Sequence, residues 1–372
     1  MGLIALTGCD VHDGTQMHAA AVLLIEDGVC AGIVTQAPKG AEVRRMPAGI
    51  LAPGLVDLQV NGGGGVMFND APTAQTLRRM IAAHRGLGTT AMLPTLITDT
   101  AAVTRAAIAA GVALPDLLGL HLEGPHLSVA RKGAHEGSLI RPMTEDDLNH
   151  LCDAAQKLRN LMVTVAAETV SADQIARLTA AGVVVSLGHS NADFDTCAAA
   201  FAAGAGCTTH LFNAMSGFGH RAPGLVGATL DGAGAAGLIA DGIHVHPAAL
   251  RMAVRTKVRG ALFLVSDAMA VAGTDLTDFM LNGRQITRAG GQLTLADGTL
   301  AGADLSLPQA IAFMAEHGGV TRERAIAMAT SAPAGVLRRP GTAGHLCPGQ
   351  ACEVVHLSPD LLQARLLDPF AL

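Results

Sequence analysis

From Gly54 onward, short and almost uninterrupted apolar runs alternate with longer segments that carry helix-start and helix-stop residues. The apolar runs at 55–60, 90–93, 118–123, 162–166, 183–187, 207–210, 237–240 and 262–266 read as strands. Continuous rather than alternating apolarity is what strands buried on both faces require. Strands separated by helices imply βαβ units and a parallel sheet, and eight such strands close a (β/α)8 barrel. The intervening punctuation agrees. Ser171-Ala-Asp-Gln174 has the form of a capping box, with Gly182 as the stop of the helix it opens. Ser306-Leu-Pro-Gln309 opens another helix that Gly318 ends.

The two ends of the chain have a different texture. Up to about Leu51 the pattern is of short β-type pieces, at 20–26 and 32–35, joined by glycine turns. After Gly341, turn and strand character returns through Pro348-Gly349-Gln350 and 353–357. The expected architecture is therefore α/β. A (β/α)8 barrel over 53–340 lies beside a small β-sandwich domain formed by 1–52 plus 341–372. No internal repeat is visible, although 198–205 is rich in alanine.

Composition narrows the function classes. Half of the 372 residues are hydrophobic and 15% are charged, enough for a large core and too apolar for disorder. The net charge of −6, without any Lys or Arg run, argues against a nucleic-acid partner. The longest uncharged stretch, 196–220, is broken by Gly, Thr, His and Asn, so no membrane span is expected. Met1 to Cys9 lacks a basic leader, and the seven cysteines are scattered, odd in number and free of CxxC pairs. Both features imply a reduced, cytoplasmic protein. Cys207 reads as a packing residue. With no Trp or Tyr and nine Phe, stacking platforms for sugars or bases are scarce, so a small polar ligand is favoured.

Chemistry-bearing side chains recur where the strands end. Glu123, His189 and His210 follow the third, fifth and sixth strands, and Asp267 follows the eighth. In a barrel enzyme the site is assembled at the carboxyl ends of different strands. Two imidazoles and a carboxylate form a catalytic zinc set that leaves one corner open. Each residue alone could be a hydrogen-bonded loop side chain; together they point to a metal. Asp267 is the candidate general base, passing a proton from water to a leaving amine, with a helix N-cap as the alternative. His244 could polarise a carbonyl, or be a loop histidine. His246 reads as a surface residue. Asn213, the Ala214 amide and Arg221 could hold an anionic group, Arg221 being suited to phosphate. Lys132 and His135 lie on a loop that could cover the site. The glycine run after Asn61 could cradle an anion or simply permit tight turns.

These segments resemble the amidohydrolase superfamily and, within it, the N-acetylglucosamine-6-phosphate deacetylases. The strings that carry the resemblance are 53–62, Gly119-Leu-His-Leu-Glu-Gly-Pro125, Gly188-His-Ser-Asn-Ala192, Thr209-His-Leu-Phe-Asn-Ala-Met215, Ala240-Asp-Gly-Ile-His244 and Val265-Ser-Asp-Ala268. The resemblance implies hydrolysis of the acetamide of N-acetylglucosamine 6-phosphate, by a metal-activated water, to glucosamine 6-phosphate and acetate. It implies Glu123, His189 and His210 as metal ligands, Asp267 as base and then acid, and His244 on the acetyl carbonyl. His135, Asn213, Ala214, Arg221 and His244 would bind substrate. A homodimer is implied, in which Arg221 can act on the neighbouring subunit's site. Many superfamily members bind a second metal through His-x-His after the first strand; here Gln59 and Asn61 stand there, which implies one divalent metal per subunit. Zinc is the first expectation, and Fe, Co or Mn suit the same ligands. His126, where an aromatic or apolar residue is expected, is a second departure. The competing readings are a deacylase of another N-acyl amino sugar or a cyclic amide, and an inactive barrel that only binds.

Overall fold

The computed structural model describes residues 2–367. At its centre eight parallel strands follow one another in sequence order: β1 (Leu55–Val60), β2 (Thr89–Ile97), β3 (Leu120–Glu123), β4 (Leu161–Val165), β5 (Val184–Leu187), β6 (Cys207–Thr208), β7 (Ala235–Leu238) and β8 (Leu262–Leu264). A parallel bridge between Val60 and Ala268 joins the two edges, so the sheet closes. All eight expected strands are present. β1, β3, β4 and β5 are buried at every position, as their unbroken apolarity requires.

The later strands stop short of the residues that carry the chemistry. β6 ends at Thr208 and β8 at Leu264, not at 210 and 266. The cause is local backbone geometry. His189, His210 and Asp267 adopt φ of +46°, +27° and +51°, a left-handed conformation that breaks strand pairing. Such residues are uncommon and concentrate where surrounding structure holds them for function. Helix signals are realised as read: Ser171 and Gln174 form a reciprocal capping box for Ala172–Ala180, and Gln309 accepts the Ser306 N–H at the start of Leu307–His317.

The chain ends build two sheets. One pairs Val29–Val34, Val22–Glu26, Leu3–Thr7 and Glu42–Arg45; the other pairs Ala364–Leu367, Val354–Leu357, Ile50–Pro53, Asp10–His12 and Met17–His18. Ile4, Leu6, Leu23, Ile25, Leu51 and Val354 pack into a shared core, separate from that of the barrel.

One element lies outside the sequence reading. After β8, the strands Asp278–Leu281, Arg284–Ala289 and Gln292–Thr294 form an antiparallel meander. Its turns are Asn282-Gly283 (φ +49° and +74°) and Gly290-Gly291 (φ +59° and +76°). Positive φ at both central residues is the requirement of a tight hairpin turn, and Asn-Gly is its strongest sequence signal. The meander buries Phe279, Leu281, Ile286 and Leu293 against Met67, Ile97 and Met269 to Val271, beside the mouth of the barrel.

Candidate active site and metal centre

A cavity of about 540 Å³ opens at the carboxyl ends of the strands. Asn61, His135, Asn213, Ala214, His244 and Asp267 line it together with Glu123, His189 and His210. A larger cavity, about 660 Å³, lies at the amino ends, near Arg78, Arg85 and Glu353. Size does not select the site here: among the described residues, the one cluster able to hold a metal is in the smaller cavity.

That cluster is Glu123, His189 and His210, all buried. Glu123 Oε1 lies 3.2 Å from His189 Nε2 and 3.1 Å from His210 Nε2, and the two imidazole nitrogens are 3.1 Å apart. Three donor atoms around zinc, at bond lengths of roughly 2.0–2.2 Å in a tetrahedron, are separated by about 3.3–3.5 Å. The observed triangle matches that arrangement with slight contraction. His189 Nδ1 lies 2.8 Å from the Arg131 carbonyl, which fixes the ring proton on Nδ1 and leaves the Nε2 lone pair facing the cluster. The residues present therefore fit a divalent cation with an open fourth position. Burial opposes ionisation of Glu123, but the two imidazoles 3.1–3.2 Å from its Oε1 hold its carboxyl well below the usual range.

Gly188 makes the convergence sterically possible. A Cβ there would sit 2.8 Å from Thr209 Cβ and 2.9 Å from Thr164 Cγ2, so only glycine lets the ends of β5 and β6 approach.

Asp267 caps no helix; the next one begins at Leu307. Its Oδ1 accepts hydrogen bonds from Gln59 Nε2 (3.1 Å) and Asn61 Nδ2 (2.7 Å). Gln59 Nε2 also lies 3.2 Å from Glu123 Oε1, so one amide spans the two carboxylates. Both Gln59 and Asn61 present N–H groups, not lone pairs, to these carboxylates. That suits neutral partners better than ligands to a second metal. Burial and the nearby Glu123 charge push Asp267 up to about 6. Beneath it, Asp57 accepts the N–H groups of Gln59 and Ser266, stitching β1 to the segment that presents Asp267.

The remaining expected residues divide. His244 lines the cavity, and Asp241 Oδ2 lies 2.6 Å from its Nδ1. His135 is buried, its Nδ1 accepting the Thr98 N–H and its Nε2 3.8 Å from Glu123 Oε2. Burial and the adjacent His189 push His135 down to about 3, so its ring is neutral. Asn213 and Ala214 line the wall, Ala214 with φ of +49° and an N–H that meets no acceptor among the described residues. Arg221 is exposed and is not among the residues lining this cavity. Lys132 is exposed, and His246 is an exposed cap that accepts the Ala248 N–H. His126 is buried against the Arg141 carbonyl, outside the cavity lining. The glycine run is a turn, not an anion cradle. The N–H groups of Gly62, Gly64 and Gly65 already donate to the carbonyls of Ala268, Ala272 and Ala270. Cys207 is fully buried, as a packing residue should be.

Sequence reasoning missed Asp241, Asp57, the donor role of Gln59 and the meander, whose Gly298 to Leu300 flank contributes to the cavity. The Asn282-Gly283 and Gly290-Gly291 pairs, set among alternating apolar residues, were the signal for the meander.

A closed barrel with a His–His–carboxylate cluster and an adjacent buried aspartate defines a metal-dependent hydrolase. The chain belongs to the amidohydrolase family, whose sequence profile matches residues 50–367. It is 42% identical over 322 residues to an N-acetylgalactosamine-6-phosphate deacetylase of Shewanella sp. strain ANA-3, covering 85% of this chain and 81% of that one. To an N-acetylglucosamine-6-phosphate deacetylase of Haemophilus influenzae it is 31% identical, covering 96% and 95%. The crystal structure of N-acetylglucosamine-6-phosphate deacetylase from Pasteurella multocida superposes with a TM-score of 0.92 at 30% identity, over 98% of this chain and 97% of that one. Among the described residues no helix is long and apolar enough to cross a membrane.

Proposed function

We propose that this enzyme hydrolyses the acetamide of an N-acetylhexosamine 6-phosphate, with N-acetylglucosamine 6-phosphate as the first substrate, to the amino-sugar phosphate and acetate. The observation that carries the reading is the Glu123–His189–His210 triangle beside Asp267, in a cavity also lined by Asn213 and by Ala214, whose N–H meets no acceptor among the described residues. One divalent cation, zinc by preference, would be held by Glu123, His189 and His210, where it supplies Lewis acidity to water and to the acyl oxygen. Asp267 takes the proton of the attacking water and returns it to the departing nitrogen. Gln59 and Asn61 keep the Asp267 carboxylate aimed during that transfer. His244 donates to the acetyl oxygen as negative charge develops there. Asn213 and the Ala214 N–H bind the phosphate end, with His135 on the sugar. Arg221 completes the phosphate site of a neighbouring subunit in a homodimer, which its exposure and its place outside the lining of its own cavity support. Residues 1–52 and 341–372 form one small domain, of which Met1 and 368–372 lie outside the described residues; the pairing of Ile50–Pro53 with Val354–Leu357 supports it. The seven free cysteines favour a reducing cytoplasm.

A second reading changes only the sugar: the Shewanella relative named for the galactosamine epimer has the higher identity of the two relatives compared. Acetate release from both phosphorylated epimers and from unphosphorylated N-acetylglucosamine, with and without prior chelation, tests the proposal. Chelator-sensitive release that requires the phosphate supports it, and the ratio of kcat/KM for the epimers assigns the sugar. A folded, metal-loaded protein that releases no acetate from any of them refutes it.

A further inference from the structure

The loop after β7 pairs His244 with Asp241, a residue to which the proposed mechanism gives no role. Asp241 and His244 stand three residues apart, and both side chains are more than nine-tenths buried. Asp241 Oδ2 lies 2.6 Å from His244 Nδ1, while its Oδ1 accepts the backbone N–H groups of Ile243 and His244, each at 2.8 Å. The carboxylate thus uses both oxygens to wrap the loop around one imidazole. Gly242 permits the wrap: its φ is +76°, and a Cβ there would meet Phe313 Cζ at 2.7 Å.

The consequence follows from the donor count of the ring. With Nδ1 committed to Asp241, the nitrogen left for a ligand is Nε2. In a neutral ring whose proton sits on Nδ1, Nε2 carries a lone pair and accepts. To donate to an acyl oxygen the ring must carry protons on both nitrogens, and a buried cation needs a partner. We infer that Asp241 is a positioning residue for the hydrolysis: it holds His244 as an imidazolium, so that Nε2 is a hydrogen-bond donor in the cavity. This inference rests on the reaction proposed above. Burial opposes the ionisation of Asp241, yet the His244 hydrogen bond and the two backbone N–H bonds hold it below the usual carboxylate range, so the partner charge persists at neutral pH. The charged groups that bear on His244 are Asp241 from its own loop and Asp267 from the segment after β8. Of these, only Asp241 is hydrogen-bonded to the ring among the described residues.

The sign of the effect is definite. A carboxylate at Nδ1 favours the protonated ring, so removing its charge makes the ring lose its proton at lower pH. Asp241→Asn keeps the shape and an acceptor oxygen but not the charge. In the metal-loaded enzyme it should lower kcat about 10²-fold, leave KM within a factor of about 2, and move the alkaline limb of the kcat/KM profile down by about one pH unit. Asp241→Glu should restore that limb. In a His244→Gln background, Asp241→Asn should cost almost nothing more, because the two residues act as one.

Nitrogen NMR of the imidazoles, with His244 assigned by its loss in His244→Gln, separates this inference from the substrate assignment. In the wild-type, metal-loaded protein near pH 7, both His244 nitrogens should carry protons, and Asp241→Asn should shift the titration to lower pH. That result without deacetylase activity would uphold the pair and remove the substrate reading. A wild-type ring that is neutral with its proton on Nδ1 overturns the inference, and needs no variant to be seen. So does an Asp241→Asn enzyme with an unchanged profile.

Discussion

The two walls of the cavity are built to different degrees by one chain. The wall carrying the chemistry is complete: Glu123, His189 and His210 converge within about 3.2 Å of one another, and Asp267 is held by two amides. The part proposed for the phosphate is sparse: Asn213 and an Ala214 N–H with no acceptor among the described residues line it, while the guanidinium of Arg221 stays in solvent. The difference teaches where precision is needed. Proton transfer and metal ligation tolerate little displacement, and the side chains proposed for them are fixed by strand ends, bridging hydrogen bonds and left-handed backbone. Recognition of a doubly charged anion works through longer-range attraction and can be completed by a second subunit.

Experiments on the chemical wall should have the largest effects. His189→Ala should abolish stoichiometric metal binding and activity together, measured by metal analysis and acetate release; retained metal would remove it from the ligand set. Asp267→Asn should keep the metal and lower kcat about 10²–10⁴-fold. Gly188→Ala should push apart the ends of β5 and β6. A cost of roughly 1–3 kcal/mol for overpacking should appear as a lower Tm, with weakened metal affinity in calorimetry. Unchanged metal affinity would show that the histidines do not depend on that close approach.

The anion wall should respond more gently. Arg221→Ala should raise KM for the phosphorylated sugar about 10-fold or more, given roughly 1.5–3 kcal/mol for a hydrogen bond to a charged group. KM for the unphosphorylated analogue should not move. Mixing Arg221→Ala with Asp267→Asn subunits should restore activity, because a mixed dimer contains one site with both groups; no restoration would place Arg221 in its own site. The smallest effect belongs to the far end of the loop after β7, where His246 caps the helix Pro247–Thr256. His246→Ala should lower stability by about 0.5–1 kcal/mol through loss of the cap and leave kinetics unchanged.

Much of this was legible along the chain, and unevenly. The eight strands showed because a strand buried on both faces must be apolar throughout, as Leu55–Val60 and Leu161–Val165 are. Glu123, His189, His210 and Asp267 showed because each stands within three residues of such a run. The meander after β8 carried its turn pairs openly, but its strands are short and half exposed, so they lack the continuous apolar mark of the barrel. Asp241 was hidden differently: an aspartate three residues before a histidine in a loop is unremarkable until the loop folds back.

By itself the sequence determined the alternation of strands and helices, the number of strands, and the kinds of side chain presented at their ends. Those depend on local periodicity and residue chemistry. Only the tertiary structure decided that two imidazoles and a carboxylate meet at 3.1–3.2 Å. It decided too that Gln59 spans Glu123 and Asp267, that Asp241 grips His244, and that Arg221 stands away from its own cavity. Most of these relations cross the barrel between residues 21 to 208 positions apart. They exist only once β1 and the segment after β8 have met at Val60 and Ala268, and barrel closure is a property of the whole chain.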